Sequence, residues 1–372
     1  MSDFVINRKT NVVLSIILNR PEVINSLTIE MVNSMKRMLC AALKDADTKI
    51  ILIYGRGDKG FCAGADIKSL ASFVKNGRFN NAMDFFKNEY EMDLLLQRFP
   101  KPVIVIADGI TMGGGLGIAE GADTVIVTER SRMAMPETRI GFFPDVGATG
   151  WLSFNCPDGY PDLLGLTGYE LEGSECVRVG LATNLVSSEN LSEIISVIEN
   201  TDIRKSSKPE IMDTVLSAIE PYLIKDIPAN PEMDDWVRAN FNDKTDVKDI
   251  IKNLSSCNEQ LELCRGVIER ISERSPTALA LTILMLRFNQ GLPLEEVFLN
   301  DIKASDFMIK HPDYYEGIRA RLIEKDDKPR WKPEKIEDVD LAEFMSQLKS
   351  VKRSSFNVLA DFKNIDQPDF SS

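Results

Sequence analysis

The chain has 372 residues, of which 44% are hydrophobic, and a net charge of −13 from 44 basic and 57 acidic side chains. That length supports a substantial core in one large domain with additions, or in two domains. The acidic balance and the lack of any long basic run argue against nucleic-acid binding, while leaving room for a small basic pocket that takes a phosphorylated ligand.

The N-terminal stretch MSDFVINRKTNVVLSIILNRP has no signal-peptide pattern: its apolar part is short and late, and no small-residue cleavage site follows. No apolar run reaches the roughly 18 residues a membrane span needs. The expected location is cytoplasmic, with mitochondrial as the alternative should a presequence precede this numbering. Residues 12–19 (VVLSIILN) read as a strand. Residues 28–45 read as a helix that Thr28 caps, with Met31, Met35, Met38, Leu39, Ala42 and Leu43 at helical spacing. IILIYG (50–55) is a short buried strand, followed by a glycine-punctuated loop and a helix from about Asp66. KPVIVIADG (101–109) reads as a second buried strand running straight into the glycines of MGGGLG, and ADTVIVT (122–128) as a third. Strands alternating with helices imply a sheet covered by helices. From about residue 190 to 340 the patterns are helical, with Ser275-Pro276 as a helix start and ANPEMDD (229–235) as a linker or turn. The tail beyond about 350 is polar.

The six cysteines form no CxxC pair, and a core of this size needs no disulfide framework, so a reduced compartment is expected. The single histidine, His311, lacks neighbouring ligands or orienting groups and reads as a helix–loop contact; no metal site is expected. Cys62 reads as a small buried hydrophobe, because no His or Lys lies in its loop to lower its pKa. Phe85, Phe86 and Tyr90 read as packing. No GxSxG elbow occurs, which argues against an α/β-hydrolase.

Two glycine-rich turns carry more information. MGGGLG (112–117) and GFCAGADI (60–67) each follow a strand and open a helix, and neither satisfies a dinucleotide fingerprint or a Walker A loop. Either can be a tight turn with close helix packing. Together they can also converge backbone N–H groups on one point, the geometry of an oxyanion hole. The stretch MAMPETRIGFFPDVGATG (133–150) is mostly small and apolar yet carries Glu137 and Asp145. Acids in such a segment are either solvated on a loop or placed in a dry pocket where their pKa values are tuned.

NRPEVINSL (19–27), FCAGADIK (61–68) and KPVIVIADGITMGGGLGIA (101–119) resemble the signatures of the crotonase (enoyl-CoA hydratase/isomerase) superfamily, over about residues 10–335. ITMGGG-x-G, AMPET-x-IG-x-FPDVG and the late segment YYEGIRARLIEKDDKPRWKP (314–333) are similar to its 3-hydroxyisobutyryl-CoA hydrolase branch. The resemblance implies an α/β fold, a spiral of repeated ββα units followed by an α-helical C-terminal region. It divides the chain into a catalytic core (1–200), a helical extension (201–340) and a polar tail (341–372).

It implies an acyl-coenzyme A thioester substrate, most of all 3-hydroxyisobutyryl-CoA, with no cofactor beyond the coenzyme A of the substrate, and a homo-oligomer as a possible assembly. The backbone N–H groups of Ala65 and Gly114 would form the oxyanion hole. Ala65, Asp66, Ile67 and Lys68 would contact the coenzyme A arm, and Glu89, Glu137 and Asp145 would face the substrate. Most hydrolases of the branch have Gly where this chain has Ala65, which keeps the backbone donor and narrows the pocket. Hydratases use two glutamates; the position of the first is Gly117 here, and Glu137 matches the second. Glu137 would attack the thioester or act as general base, Asp145 would protonate the thiolate or position water, and Glu89 would accept a hydrogen bond from the 3-hydroxyl. The rivals are another reaction of a coenzyme A ester, or a non-catalytic binding protein on the same fold.

Overall fold

Short runs of β-branched residues, bounded by glycines and polar turns, become the strands of two sheets. The computed structural model describes residues 4–203 and 207–349. Its strands are β1 (Val5–Thr10), β2 (Val13–Leu18), β3 (Ile50–Gly55), β4 (Gly60–Cys62), β5 (Val103–Ile106), β6 (Ile110–Met112), β7 (Thr124–Thr128), β8 (Arg132–Ala134), β9 (Leu171–Glu172) and β10 (Asn184–Val186). One sheet has the order β1-β2-β3-β5-β7-β10, and the other β4-β6-β8-β9. Pairing is parallel except for β1 with β2 and β8 with β9.

Successive strands thus alternate between the sheets: β3 then β4, β5 then β6, β7 then β8. Helices follow each pair. After β2 comes α1 (Ile29–Lys44); after β4 come α2 (Ile67–Lys75) and α3 (Phe79–Gln97); after β6 comes α4 (Gly114–Glu120). After β8 come a 3₁₀ turn (Glu137–Ile140), α5 (Ala148–Asn155), α6 (Tyr160–Thr167) and α7 (Ser174–Arg178). This is the spiral of ββα turns that the resemblance implies. The helical C-terminal region follows as α8 (Leu191–Asn200), α9 (Lys208–Ile219), α10 (Pro231–Phe241), α11 (Val247–Ser256), α12 (Leu261–Ser272), α13 (Pro276–Asn289), α14 (Leu294–Lys310), α15 (Pro312–Ile318) and a π-helical turn, Arg319–Ile323. Met1–Val339 forms one compact unit; the described part of a second, from Asp340 on, holds the helix Ala342–Lys349.

The larger sheet is covered on both faces, so its strands are continuous apolar runs. Val13, Ile50, Leu52, Ile104, Ile106, Ile126 and Val186 pack against Ile194 and Ile198 of α8 and Ile211, Val215 and Ile219 of α9. Caps set the helix starts: Thr28 Oγ1 accepts from Met31 N at 3.3 Å, and Ser275 Oγ from Ala278 N at 3.1 Å.

Two expectations are corrected, and one strand goes beyond them. Strand β1 has no apolar alternation to announce it, since an edge strand with exposed central residues needs little of it. Residues 101–109 are not one strand reaching the glycines. The chain leaves the first sheet after Ile106, turns at Gly109 (φ 74°), and enters the second sheet as β6. A Cβ at Gly109 would lie 2.7 Å from the Lys59 carbonyl oxygen, so only glycine allows that crossing. Residues 229–235 are no linker: Asn230 accepts from Met233 N at 3.2 Å and Pro231 opens α10. The sequence reading of residues 350–372 as a polar tail lies outside the described residues.

Asn25 ties the first glycine-rich turn to the sheet. It is buried, with φ 54°, a left-handed conformation that Asn tolerates. Its Nδ2 donates to the carbonyls of Phe61 (2.9 Å), Arg56 (3.0 Å) and Gly60 (3.3 Å), and its Oδ1 accepts from Arg20 N at 2.8 Å. Removing the amide strands buried backbone groups, each costing about 1–3 kcal/mol. Asn25→Ala is therefore expected to lower unfolding free energy by about 2–4 kcal/mol in urea denaturation. A loss below about 0.5 kcal/mol would show that water replaces the side chain.

Candidate active site

A cavity of about 520 Å³ opens where the two glycine-rich turns meet. Ala63, Gly64 and Ala65 of the first turn face Met112, Gly113 and Gly114 of the second. The turns touch: a Cβ on Gly64 would lie 3.3 Å from Gly114 N. Gly114 is the first residue of α4, so its N–H has no helical carbonyl to reach.

The glycines make room for acids. Glu89 from α3 and Glu137 and Asp145 from the segment after β8 all line the cavity. A Cβ on Gly113 would lie 2.8 Å from Glu137 Oε1, and one on Gly114 would run into Glu89 Oε1. One turn further along α4, a Cβ on Gly117 would meet Val146 Cβ at 2.7 Å and Asp93 Oδ2 at 3.0 Å. Of the residues matched to the coenzyme A arm, Ala65 and Ile67 line the cavity. Asp66 instead caps α2 and pairs with Arg20 at 3.2 Å, and Lys68 is exposed outside the lining.

Burial dominates the electrostatics. Glu89, Glu137 and Asp145 are 1%, 8% and 5% exposed. Desolvation raises all three carboxyls, and their mutual repulsion pushes Glu89 and Glu137 further up. Asp145 rises to about 7, its shift limited because the Tyr90 hydroxyl donates to its Oδ2 at 2.7 Å. Tyr90 OH also lies 2.8 Å from Ser305 Oγ of α14, so the helical extension anchors the acid's partner. Burial likewise raises Asp93 and Asp301. Asp301 Oδ2 accepts from Gly147 N at 2.8 Å, while both oxygens of Asp93 have no partner. No cation figures in the shift of any of these five carboxyls.

Apolar rings keep this region dry. Phe86 stacks on Phe142 with centroids 5.2 Å apart, and Phe142 packs on Phe143 and Tyr314. The late segment closes the wall. In the empty space left by Gly141 and Gly317 the chains of α15 and the 3₁₀ turn approach backbone to backbone. Arg139, Arg321, Leu322, Lys325 and Asp327 complete the cavity. Cys62 is buried, with its thiol pushed up to about 12 by desolvation, and His311 caps α15, its Nδ1 accepting from Asp313 N at 3.3 Å.

Sequence reading placed Tyr90 in the packing and passed over Asp93, Asp301 and the Arg139–Arg321 wall. Glu89 and Asp93 stand four residues apart on one helix, a spacing that could have flagged a shared face. Nothing local marks Asp301, which reaches the site only through the packing of α14 on α3.

The family model described as enoyl-CoA hydratase/isomerase matches residues 13–348. The chain is 36% identical to the mitochondrial 3-hydroxyisobutyryl-CoA hydrolase of Mus musculus, over 91% of this chain and 87% of that one. It is 34% identical to the Gallus gallus protein of the same name, over 87% and 83%. A carnitinyl-CoA dehydratase from Mycobacterium thermoresistibile superposes with a TM-score of 0.83 at 31% identity, covering 95% of this chain and 98% of its own.

The five raised carboxyls set a pH dependence of stability. Each holds its proton more tightly in the folded chain than in the unfolded one, whose carboxyls titrate at 3.8 to 4.5. The folded state therefore carries more protons from about pH 4 upward, and stability falls as pH rises through each raised carboxyl, for Asp145 until about 7. The urea midpoint is expected to drop between pH 5 and pH 8, and Asp93→Asn, which cannot ionise, to flatten the drop. A midpoint that climbs over that range would contradict the raised carboxyls.

Proposed function

Because this chain belongs to the enoyl-CoA hydratase/isomerase family, we propose that it hydrolyses a short 3-hydroxyacyl-coenzyme A thioester, 3-hydroxyisobutyryl-CoA above all, releasing the hydroxy acid and coenzyme A. The observation that carries this is the pairing of Glu137 and Asp145 in one dry cavity beside two amide-bearing glycine turns, with no side chain at position 117.

The reaction follows from those groups. The N–H groups of Ala65 and Gly114 polarise the thioester carbonyl and take up the charge that develops on its oxygen. Glu137, as carboxylate, draws a proton from water, whose oxygen attacks the carbonyl carbon; alternatively it attacks directly and forms a mixed anhydride that water then cleaves. The C–S bond breaks, and the sulfur takes a proton from Asp145. Glu89 accepts a hydrogen bond from the 3-hydroxyl. Repulsion between neighbouring buried acids lets Glu137 and Asp145 share one negative charge. The Tyr90 hydroxyl supports the charged form of Asp145.

Hydration across a double bond calls for a second acid at the first glutamate's position. Gly117 supplies none, and Val146 and Asp93 fill the space a side chain there would need. Asp66 and Lys68, on the first turn of α2, are assigned to the outer part of the coenzyme A arm. Residues 1–200 supply the reacting groups and residues 201–340 the helices that brace them. The reading needs no further cofactor, and its partners are the acyl-coenzyme A and further copies of the chain, which sedimentation would reveal. Among the described residues no helix is long and apolar enough to cross a membrane. The relatives' names place those proteins in mitochondria, which favours that compartment over the cytoplasm for this chain.

Thiol release from a panel of acyl-coenzyme A esters tests the activity, and a chain that hydrates enoyl esters while releasing no thiol would sink it. Glu137→Gln is expected to lower kcat by about 10²–10⁴-fold with little change in binding. Asp145→Asn is expected to lose less with thioesters of acidic thiols, whose departure needs less protonation. Near-normal kcat in Glu137→Gln, or indifference of Asp145→Asn to thiol acidity, would reassign the two roles. Gly114→Val is expected to abolish turnover in a folded protein, since its branched side chain displaces Glu89 from the acyl site.

A further inference from the structure

One wall of the cavity has no part in the thioester chemistry. Arg139, Arg321, Lys325 and Asp327 line it together, three cations and one acid in a chain of net charge −13. Asp327 serves both arginines: its Oδ1 lies 2.8 Å from Arg321 Nη1 and 3.7 Å from Arg139 Nη2. The side chain of Arg321 is only 6% exposed; its Nη2 also meets Glu273 Oε2 at 3.3 Å, and its Nε is buried with no hydrogen-bond partner. An arginine beside a cavity with a donor left unfilled has room for a better acceptor.

Asp327 is poorly suited to be that acceptor. It is 60% exposed, and ion pairs of that kind are weak and easily exchanged. Its backbone is left-handed at φ 53°, as is that of Lys325 at φ 58°, a conformation uncommon outside glycine. The loop is held there by Arg319, which binds Asp326 at 2.7 Å and the Lys328 carbonyl at 3.3 Å. A phosphate offers what the exposed Asp327 carboxylate lacks: more charge, and several oxygens matched to the planar fork of a guanidinium.

We propose that Asp327 is an internal stand-in for a phosphate of the substrate: it neutralises Arg139 and Arg321 while the cavity is empty, and gives way when a phosphate of coenzyme A arrives. The inference rests on the reading of the substrate as a coenzyme A thioester. The exchange is ionic, with the carboxylate moving to solvent as the phosphate takes the arginine donors. The acid thus sets a threshold: it competes with every phosphate-bearing ligand and with none that lacks phosphate.

Titration calorimetry with coenzyme A and with pantetheine, which shares the thiol arm but has no phosphate, tests this. Asp327→Asn keeps the shape and tolerates the left-handed backbone, and is expected to bind coenzyme A about 3- to 10-fold tighter than the native chain while pantetheine binding stays unchanged. Arg139→Gln, on the exposed side of the pair, is expected to weaken coenzyme A binding and to shrink the gain from Asp327→Asn, again without effect on pantetheine. Equal coenzyme A affinity in the native and Asp327→Asn chains, or an equal gain with pantetheine, would overturn the proposal. A chain that shows the phosphate-dependent gain yet hydrolyses no thioester fails the activity reading alone. One that hydrolyses thioesters without the gain fails this inference alone.

Discussion

The absence of side chains along one edge of α4 is the constraint on which the rest of the site depends. Gly113, Gly114 and Gly117 present bare backbone, and three carboxylates from two other segments approach it: Glu137, Glu89 and Asp93. A Cβ at Gly113 or Gly114 would collide with a carboxylate oxygen, and one at Gly117 with Val146, tight against Asp93. The same bareness leaves the first amides of α4 open toward the cavity, where the chain's own carbonyls cannot reach them. Acids and amide donors therefore share one small volume because glycine lets them, and for no other local reason.

Crowding acids in a dry volume has an electrostatic consequence. With burial raising every carboxyl and no cation offsetting any of them, the site holds protons near neutrality. Asp145 stands apart because the Tyr90 hydroxyl supports its charged form. That hydroxyl is steadied by Ser305, and the backbone next to Asp145 by Asp301. Both come from α14, more than 150 residues downstream of Asp145. The helical extension is thus part of the acid's environment, and packing there translates into proton affinity here.

The late segment binds the site in a second way. Asp313 is buried, accepting from Ser275 Oγ at 2.6 Å and Lys332 N at 2.7 Å, so α13, α15 and the chain at 332 are locked together. That lock brings Arg321, Lys325 and Asp327 into the lining of the same cavity as the glycine turns. Within a single cavity Glu89, Glu137 and Asp145 gather among buried apolar rings, while every cation of the lining lies on the wall with Arg139, Arg321 and Lys325.

Much of this was legible in residue order. The helix at 28–45 with its Thr28 cap, the buried strands at 50–55 and 122–128, and the two glycine turns follow from periodicity and capping chemistry, which are local. The resemblance of NRPEVINSL, FCAGADIK and MGGGLG pointed to the family, and Asn25 shows why the first motif matters: its amide ties Phe61, Arg56 and Gly60 to one point. What residue order alone decided is the main helices and buried strands, the two glycine turns, and which acids lie in apolar surroundings; it left β1, the break at Gly109 and the start of α10 unread. What tertiary structure alone decided is the partnership of Tyr90 with Asp145 and Ser305, the encounter of Asp93 with Gly117, and the arginine pair on the cavity wall. Hydrophobic spacing encodes which face of an element is buried, but carries no record of which distant element will cover it. A hydroxyl, a carboxylate and a serine on three separate segments become one hydrogen-bonded unit only when the packing of α14 on α3 brings them together.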